Sequence, residues 1–177
     1  FDFGYAQLLL ALIFNCKFYI YSYSFPVDYI NFINKNKISF IAAVPHQLET
    51  IGSLENYNST SVKNIMYTGS LMSSNCYHNL KRVFNNAKIL NAYGITECFF
   101  STYLPLKNEK LILKNCVGIP MKNVTIKIIK NNKECKIFEK GEIVHFGSHI
   151  SDGYYNNYEM TKKIFKNDPL SQKNPHL

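Results

Sequence analysis

The sequence predicts an α/β fold, a mostly parallel sheet flanked by helices and followed by a smaller β-rich subdomain. Three observations carry this. Short apolar runs alternate with helical patterns across residues 38–90, the succession that builds a parallel sheet covered by helices. Two of those runs end in small and polar residues, Thr68-Gly69-Ser70-Leu71 and Asn91-Ala92-Tyr93-Gly94. After about Ser101 the helical pattern stops and strand patterns take over. The expected division is therefore an α/β part over residues 1–100 and a β-rich part of the same domain over residues 101–177, cut at both chain ends.

Each element follows from local pattern. Residues 1–14 read as a helix whose apolar face is interrupted mainly by Gln7. Residues 17–21 alternate aromatic and aliphatic side chains, which predicts a short strand. Ser24 before Phe25-Pro26 predicts a helix start, with serine as the cap and proline in the first turn. Val27, Ile30, Phe32 and Ile33 continue that helix, and residues 34–37 end it. A buried strand over 38–44 stops at Pro45, a short helix over 47–54 follows, and 55–61 is a loop. The cycle then repeats, with a strand over 62–67 and a helix capped by Ser73 or Ser74 that reaches about Phe84. The next strand is 88–90. Further on, 124–129 and 142–146 read as strands and 156–165 as a final helix; 167–177 has no periodic pattern.

Composition narrows the function. The 177 residues are 46% hydrophobic and 15% aromatic, enough for a packed core. No apolar run reaches the ~18 residues that a membrane span needs. The start lacks the charged, apolar and small-residue succession of a secretory leader, and the expected location is cytoplasmic. The net charge of +8 is spread among asparagines rather than gathered on one face. It favours an anionic ligand through its long-range field more than it marks a nucleic-acid surface. Cys16, Cys76, Cys98, Cys116 and Cys135 are odd in number, widely spaced and without a C-x-x-C pair. Reduced thiols are expected, not a disulfide or zinc scaffold. His145 and His149 flank a Gly-Ser turn rather than sitting on a helix, which argues against a metal site there.

The chemistry concentrates at the two strand ends, where ligands of parallel sheets gather. In Asn91-Ala92-Tyr93-Gly94-Ile95-Thr96-Glu97, a strand is expected to run into a glycine turn. Gly94 would let the backbone approach a phosphate, Thr96 offers a hydroxyl, and Glu97 offers a hard oxygen for Mg²⁺. A flat base would slot between this turn and that of Gly69, Ser70 and Leu71, with Tyr93 stacking on it. No Ser-His-Asp arrangement is evident. His46, after Pro45, reads as a polar surface residue.

Together these segments resemble the adenylate-forming ligases: acyl-CoA synthetases, luciferases and the adenylation domains of nonribosomal peptide synthetases. Phe1-Asp2-Phe3-Gly4 is similar to that family's FDxS-type segment, Thr68-Gly69-Ser70-Leu71 to its GGAP-type turn, and Asn91–Glu97 to its YGxTE motif. Val117-Gly118-Ile119-Pro120 is similar to its VGxP turn. Gly141-Glu142-Ile143-Val144, Gly147 and Asp152-Gly153-Tyr154-Tyr155 are similar to its later GEL-x-x-x-G…GY segment.

The resemblance implies ATP-dependent activation of a small-molecule carboxylate to an acyl-adenylate, then transfer to a thiol. Coenzyme A, or the phosphopantetheine of an acyl-carrier protein, would be the acceptor. By the same resemblance Gly69, Ser70, Leu71, Asn91, Ala92, Tyr93, Gly94 and Thr96 would bind ATP or AMP. Thr96 and Glu97 would serve catalysis, with Glu97 on Mg²⁺, and Asp2, Phe3 and Gly69 would meet the substrate. Asp2 alone would favour an amino acid, as in nonribosomal peptide synthesis; the rest of the pattern leans to an acyl-CoA ligase. A non-catalytic nucleotide-binding remnant is the alternative from another class. Thr68 departs from the family's usual first glycine, and its phosphate loop, ribose aspartate and C-terminal lysine have no counterpart here. The segment is expected to be inactive alone.

Overall fold

The computed structural model describes residues 2–166. They form two compact units, one of residues 2–94 and 102–119, the other of 95–101 and 120–166. No helix among the described residues is long and apolar enough to cross a membrane.

The first unit begins with α1 (Asp2–Ile13) and α2 (Pro26–Asn36), then alternates β1 (Phe40–Ala43), α3 (Pro45–Gly52), β2 (Asn64–Tyr67), α4 (Ser74–Val83) and β3 (Lys88–Ile95). β4 (Phe99–Tyr103), a 3-10 helix (Leu106–Lys114) and β5 (Ile119–Pro120) follow, and the sheet order is β1-β2-β3-β4-β5. The first three strands are parallel, and their register sets Ile41 beside Ile65 and Ile65 beside Ile89. All three isoleucines are buried in one cluster with Ile30 and Ile33 of α2, Leu48 and Ile51 of α3, and Leu80 and Val83 of α4. Each such side chain removed from water contributes roughly 1.5–3 kcal/mol, which makes this cluster the main source of cohesion. Burial of three successive β2 residues, Ile65, Met66 and Tyr67, is the pattern of a strand covered on both faces.

Helix starts follow the sequence closely: α3 begins at Pro45, two residues ahead of the expected start at Gln47, and one cap changes. Ser73 caps α4 by accepting the Cys76 N–H at 3.0 Å. Ser24 does not cap α2; Phe25 holds that position without a side-chain bond, and Pro26 begins the helix. Proline has no N–H to satisfy and its φ is already helical, so the cap has less to do.

The strand expected over residues 17–21 is also absent. That stretch lies outside any ladder. Its alternation serves a helix instead, since Tyr19 and Tyr21 meet the Phe32 ring at 5.7 and 4.6 Å, and Tyr21 and Tyr23 meet Tyr29 at 5.2 and 5.5 Å. A period of two places every second side chain on α2 as readily as on a sheet face.

In the second unit β6 (Thr125–Lys130), β7 (Lys133–Glu134) and β8 (Glu142–Phe146) make an antiparallel sheet of order β7-β6-β8. Asn131 and Asn132, both at positive φ, form the two-residue turn between β6 and β7, the conformation that suits the twist of a tight hairpin. The helix α5 (Tyr158–Ile164) starts at Asn157, whose side chain accepts the Met160 N–H at 3.1 Å. The patternless stretch 167–177 lies outside the described residues, as does Phe1.

Candidate functional site

In the first unit the carboxyl ends of three strands lie in a row. The register puts Tyr67 of β2 between Ala43 of β1 and Asn91 of β3, so the residues after β2 leave the sheet beside β3. There Gly69 has φ +91°, a conformation that glycine adopts without strain. Thr68 is half-buried, and Ser70 and Leu71 are exposed. Such a turn offers backbone groups and a hydroxyl to a ligand.

The second strand end differs from expectation. β3 does not stop at Leu90 but continues through Asn91, Ala92, Tyr93 and Gly94 to Ile95. Gly94 is therefore part of a strand rather than the turn. The physical reason is a new neighbour, since the Leu104 N–H donates to the Asn91 carbonyl at 2.8 Å and keeps the ladder going. Asn91 is buried, and its side-chain amide donates to the Cys116 carbonyl at 3.1 Å. Thr102 donates to the Val117 carbonyl at 2.6 Å. The turn at Gly118 fits against β4 because a Cβ there would stand 1.9 Å from the Tyr103 carbonyl oxygen. Ala92 is buried and Tyr93 half-buried. Asp2 and Phe3, both half-buried, lie in the first turn of α1, and Gln7 of that helix reaches Met66 Sδ of β2 at 3.7 Å. His46 is exposed on α3. A cavity of about 240 Å3 lies among Tyr19, Tyr21, Tyr23, Tyr29 and Gln47, and none of the expected site residues lines it.

The second unit carries the turn itself, Thr96–Cys98, closed by the Cys98 N–H to the Ile95 carbonyl at 3.1 Å. Thr96 is exposed and Glu97 half-buried. Two bonds hold Glu97 to the segment from Ser151 to Tyr154. Its carbonyl accepts the Ser151 N–H at 2.8 Å, and its carboxylate accepts the Tyr154 hydroxyl. That bond to the carboxylate is the first cause of the raised pKa of the Tyr154 hydroxyl. Gly153, at φ +142°, is needed here because a Cβ would meet Thr161 Cγ2 at 2.5 Å. This close approach lets the Thr161 hydroxyl accept the Tyr154 N–H at 2.9 Å. Two motifs that are 57 residues apart in the chain thus meet at Glu97.

The same turn brings Cys98 to the two histidines at which the sequence argued against a metal. Cys98 is buried, with its sulfur 3.1 Å from Ser101 Oγ and 3.3 Å from His145 Nδ1. His149 completes the group, and the three possible ligand atoms lie within 4.8 Å of one another. Both ring nitrogens of His149 are buried without a hydrogen-bond partner among the described residues, an arrangement that costs about 1–3 kcal/mol per unsatisfied group. Burial lowers the pKa of both histidines, and the neighbouring His149 lowers that of His145 further. The His-x-x-x-His spacing was visible, but Cys98 precedes it by 47 residues and nothing local joins them.

Comparison with known proteins agrees with this architecture. The family model for the AMP-binding enzyme matches residues 1–155. Among curated relatives, the dapdiamide synthesis protein DdaD of Enterobacter agglomerans is 27% identical over 79% of this chain and 24% of its own length. The 4-coumarate–CoA ligase 1 of Solanum tuberosum is 25% identical over 80% of this chain and 27% of its own. The chain thus spans about a quarter of the length of these relatives. Among solved structures, VinN superposes with a TM-score of 0.83 at 20% identity, covering 92% of this chain and 41% of VinN. The O-succinylbenzoate coenzyme A synthetase of Bacillus subtilis, solved with ATP and magnesium ion, superposes at 0.81 and 20% identity, covering 94% of this chain and 35% of the synthetase. These two likenesses establish the fold. With the motif order and the match over residues 1–155, the chain belongs to the AMP-binding enzyme family, the adenylate-forming ligases.

Proposed function

We propose that this chain supplies the nucleotide-binding wall of an AMP-forming acid–thiol ligase, of the acyl-CoA synthetase kind. The observation that carries the reading is the Thr96–Cys98 turn, with Glu97 held through both its backbone carbonyl and its carboxylate. Fixed oxygen donors beside a hydroxyl suit a reaction in which charge develops at phosphorus. Such a reaction gains more from positioned donors than from a nucleophilic side chain.

In this reading the substrate carboxylate attacks the α-phosphorus of ATP and pyrophosphate leaves. A thiol of coenzyme A or of a carrier-protein phosphopantetheine then displaces AMP. Gly69, Ser70 and Leu71 line the adenine and acyl side, and Asn91, Ala92 and Tyr93 flank the base. Gly94 leads the backbone toward the phosphates, where Thr96 donates to the α-phosphate. Asp2 and Phe3 meet the substrate.

Glu97 fits Mg²⁺ as a hard oxygen ligand, and a single carboxylate suffices because this ion keeps waters and phosphate oxygens as its other ligands. When bound, Mg²⁺ would neutralise the charge of the departing pyrophosphate. Tyr154 holds Glu97 in one orientation by its hydroxyl bond.

One feature supports an amino-acid substrate as a second reading: Asp2, a half-buried carboxylate in the first turn of α1, stands where the family resemblance would put it near a substrate ammonium. VinN, which shares this fold, has been solved with L-aspartate. Full turnover is expected of a longer chain, since the relatives are about four times as long as the matched segment.

Binding tests the reading on the chain itself. Calorimetric titration with Mg·ATP should show a Thr96→Val variant about tenfold weaker, the loss of one charge-assisted bond. Glu97→Gln should weaken Mg·ATP but leave metal-free ATP unchanged. Equal affinity of all three proteins for Mg·ATP would contradict the assignment.

A further inference from the structure

We propose that Cys98, His145 and His149 form a binding site for a zinc-class divalent cation. The inference stands on the geometry of the second unit alone and does not depend on the adenylation reading. Three side chains with soft or borderline donors converge from separate stretches of chain: the Thr96–Cys98 turn, strand β8 and the loop after it. Sulfur and imidazole donors select Zn²⁺ and its neighbours over Mg²⁺ or Ca²⁺, which take oxygen.

The distances are those of a site ready to close. Tetrahedral zinc holds its sulfur and nitrogen ligands roughly 3.3–3.6 Å apart, and Cys98 Sγ already stands 3.3 Å from His145 Nδ1. The third ligand lies within 4.8 Å of the others, so a ring rotation of about 1 Å would bring it in.

His149 is the second and independent observation. Although the residue is only half-buried, both its ring nitrogens are covered and neither has a partner among the described residues, which is rare, and a cation accepts a lone pair that no protein donor meets. Gly147 allows the ring to sit there. It has φ +141°, and a Cβ on it would come within 2.8 Å of His149 Nδ1 and 2.5 Å of the Asn123 carbonyl oxygen. Ser101 Oγ, 3.1 Å from the sulfur, would donate its hydrogen to the thiolate, the outer support common to such sites.

On binding, the Cys98 S–H bond breaks, its proton passes to the solvent, and the sulfur pair joins the metal. Three protein ligands leave one position for water. The ion would tie the Thr96–Cys98 turn to β8 and so stiffen the segment that presents Thr96 and Glu97.

The test is titration of the full chain with Co²⁺, then displacement by Zn²⁺. The wild type should develop visible d–d bands and a near-ultraviolet sulfur-to-cobalt charge-transfer band, both saturating at one equivalent. Cys98→Ser should lose the charge-transfer band, although four other cysteines remain. His149→Gln, at a half-exposed residue, should weaken Zn²⁺ by more than the roughly 10–100-fold that loss of an outer partner costs. Circular dichroism establishes that each variant is folded, and if Cys98→Ser is not, His149→Gln decides. Absence of the charge-transfer band in the wild type, or unchanged affinity in folded His149→Gln, would overturn the site.

Discussion

The two units are held in shape by different means. In the first, isoleucines at matching positions of three parallel strands are buried under three helices, and Ile65 at their centre is fully covered. In the second, Ile129 of β6 is the one buried aliphatic side chain of the three-stranded sheet, while Ile143 of β8 is 48% exposed. Here, with little apolar burial, glycines carry more of the shaping, in the way that Gly118 does in the first unit. A Cβ on Gly141, Gly147 or Gly153 would come within 2.7 Å of a neighbouring atom. Apolar area sets the stability of the first unit, and steric permission sets the conformation of the second. The Thr96–Glu97 turn belongs to the second kind.

The largest effect should come from the first unit's centre. Ile65→Ala is expected to lower unfolding free energy by about 2–5 kcal/mol, measured by denaturant titration. The matching Ile143→Ala in β8 should change it by no more than about 0.5 kcal/mol. Similar losses from both would break the contrast.

A pH prediction tests burial in the first unit by another route. Burial first, then the neighbouring Tyr23 and Tyr21, pushes the Tyr29 hydroxyl up to about 12 from 10.0. The unfolded chain therefore loses this proton before the folded one does. Stability is fully present below pH 10 and falls as pH rises to about 12, by roughly 2.5 kcal/mol for this group. Tyr29→Phe should flatten that part of the profile in alkaline denaturation.

Gly153→Ala sharpens the comparison from the other side. With φ +142° and a Cβ 2.5 Å from Thr161 Cγ2, it should cost about 1–3 kcal/mol and loosen the Tyr154–Glu97 bond. Gly4→Ala in α1, with nothing within 4 Å, should instead stabilise by about 0.5–1 kcal/mol. Melting curves of the pair measure both signs.

What could be read from the sequence follows the same line. Where pattern and local chemistry act within a few residues, they were enough. The 62–67 run, the Ser73 cap and strand Glu142–Phe146 all stand in the structure, β2 beginning two residues late. The alternation of strands and helices gave the fold class, and the motif order gave the family. Where a distant partner decides, they were not. Residues 17–21 alternate for α2 rather than for a strand. β3 runs on through Gly94 because Leu104 supplies a ladder bond. Glu97 and Tyr154, and Cys98 and His145, meet only after 57 and 47 residues of chain have folded.

The most direct test of the central claim, that the Thr96–Glu97 turn receives the phosphates and their metal, is paramagnetic broadening of amide signals by Mn·ATP. Mn²⁺ stands in for Mg²⁺ and marks the residues around it. The account predicts that the amides of Thr96 and Glu97 broaden first, and that Glu97→Gln abolishes this at the same nucleotide concentration. Broadening centred elsewhere, as on the Asn131-Asn132 hairpin, with Thr96 and Glu97 unaffected, would contradict it.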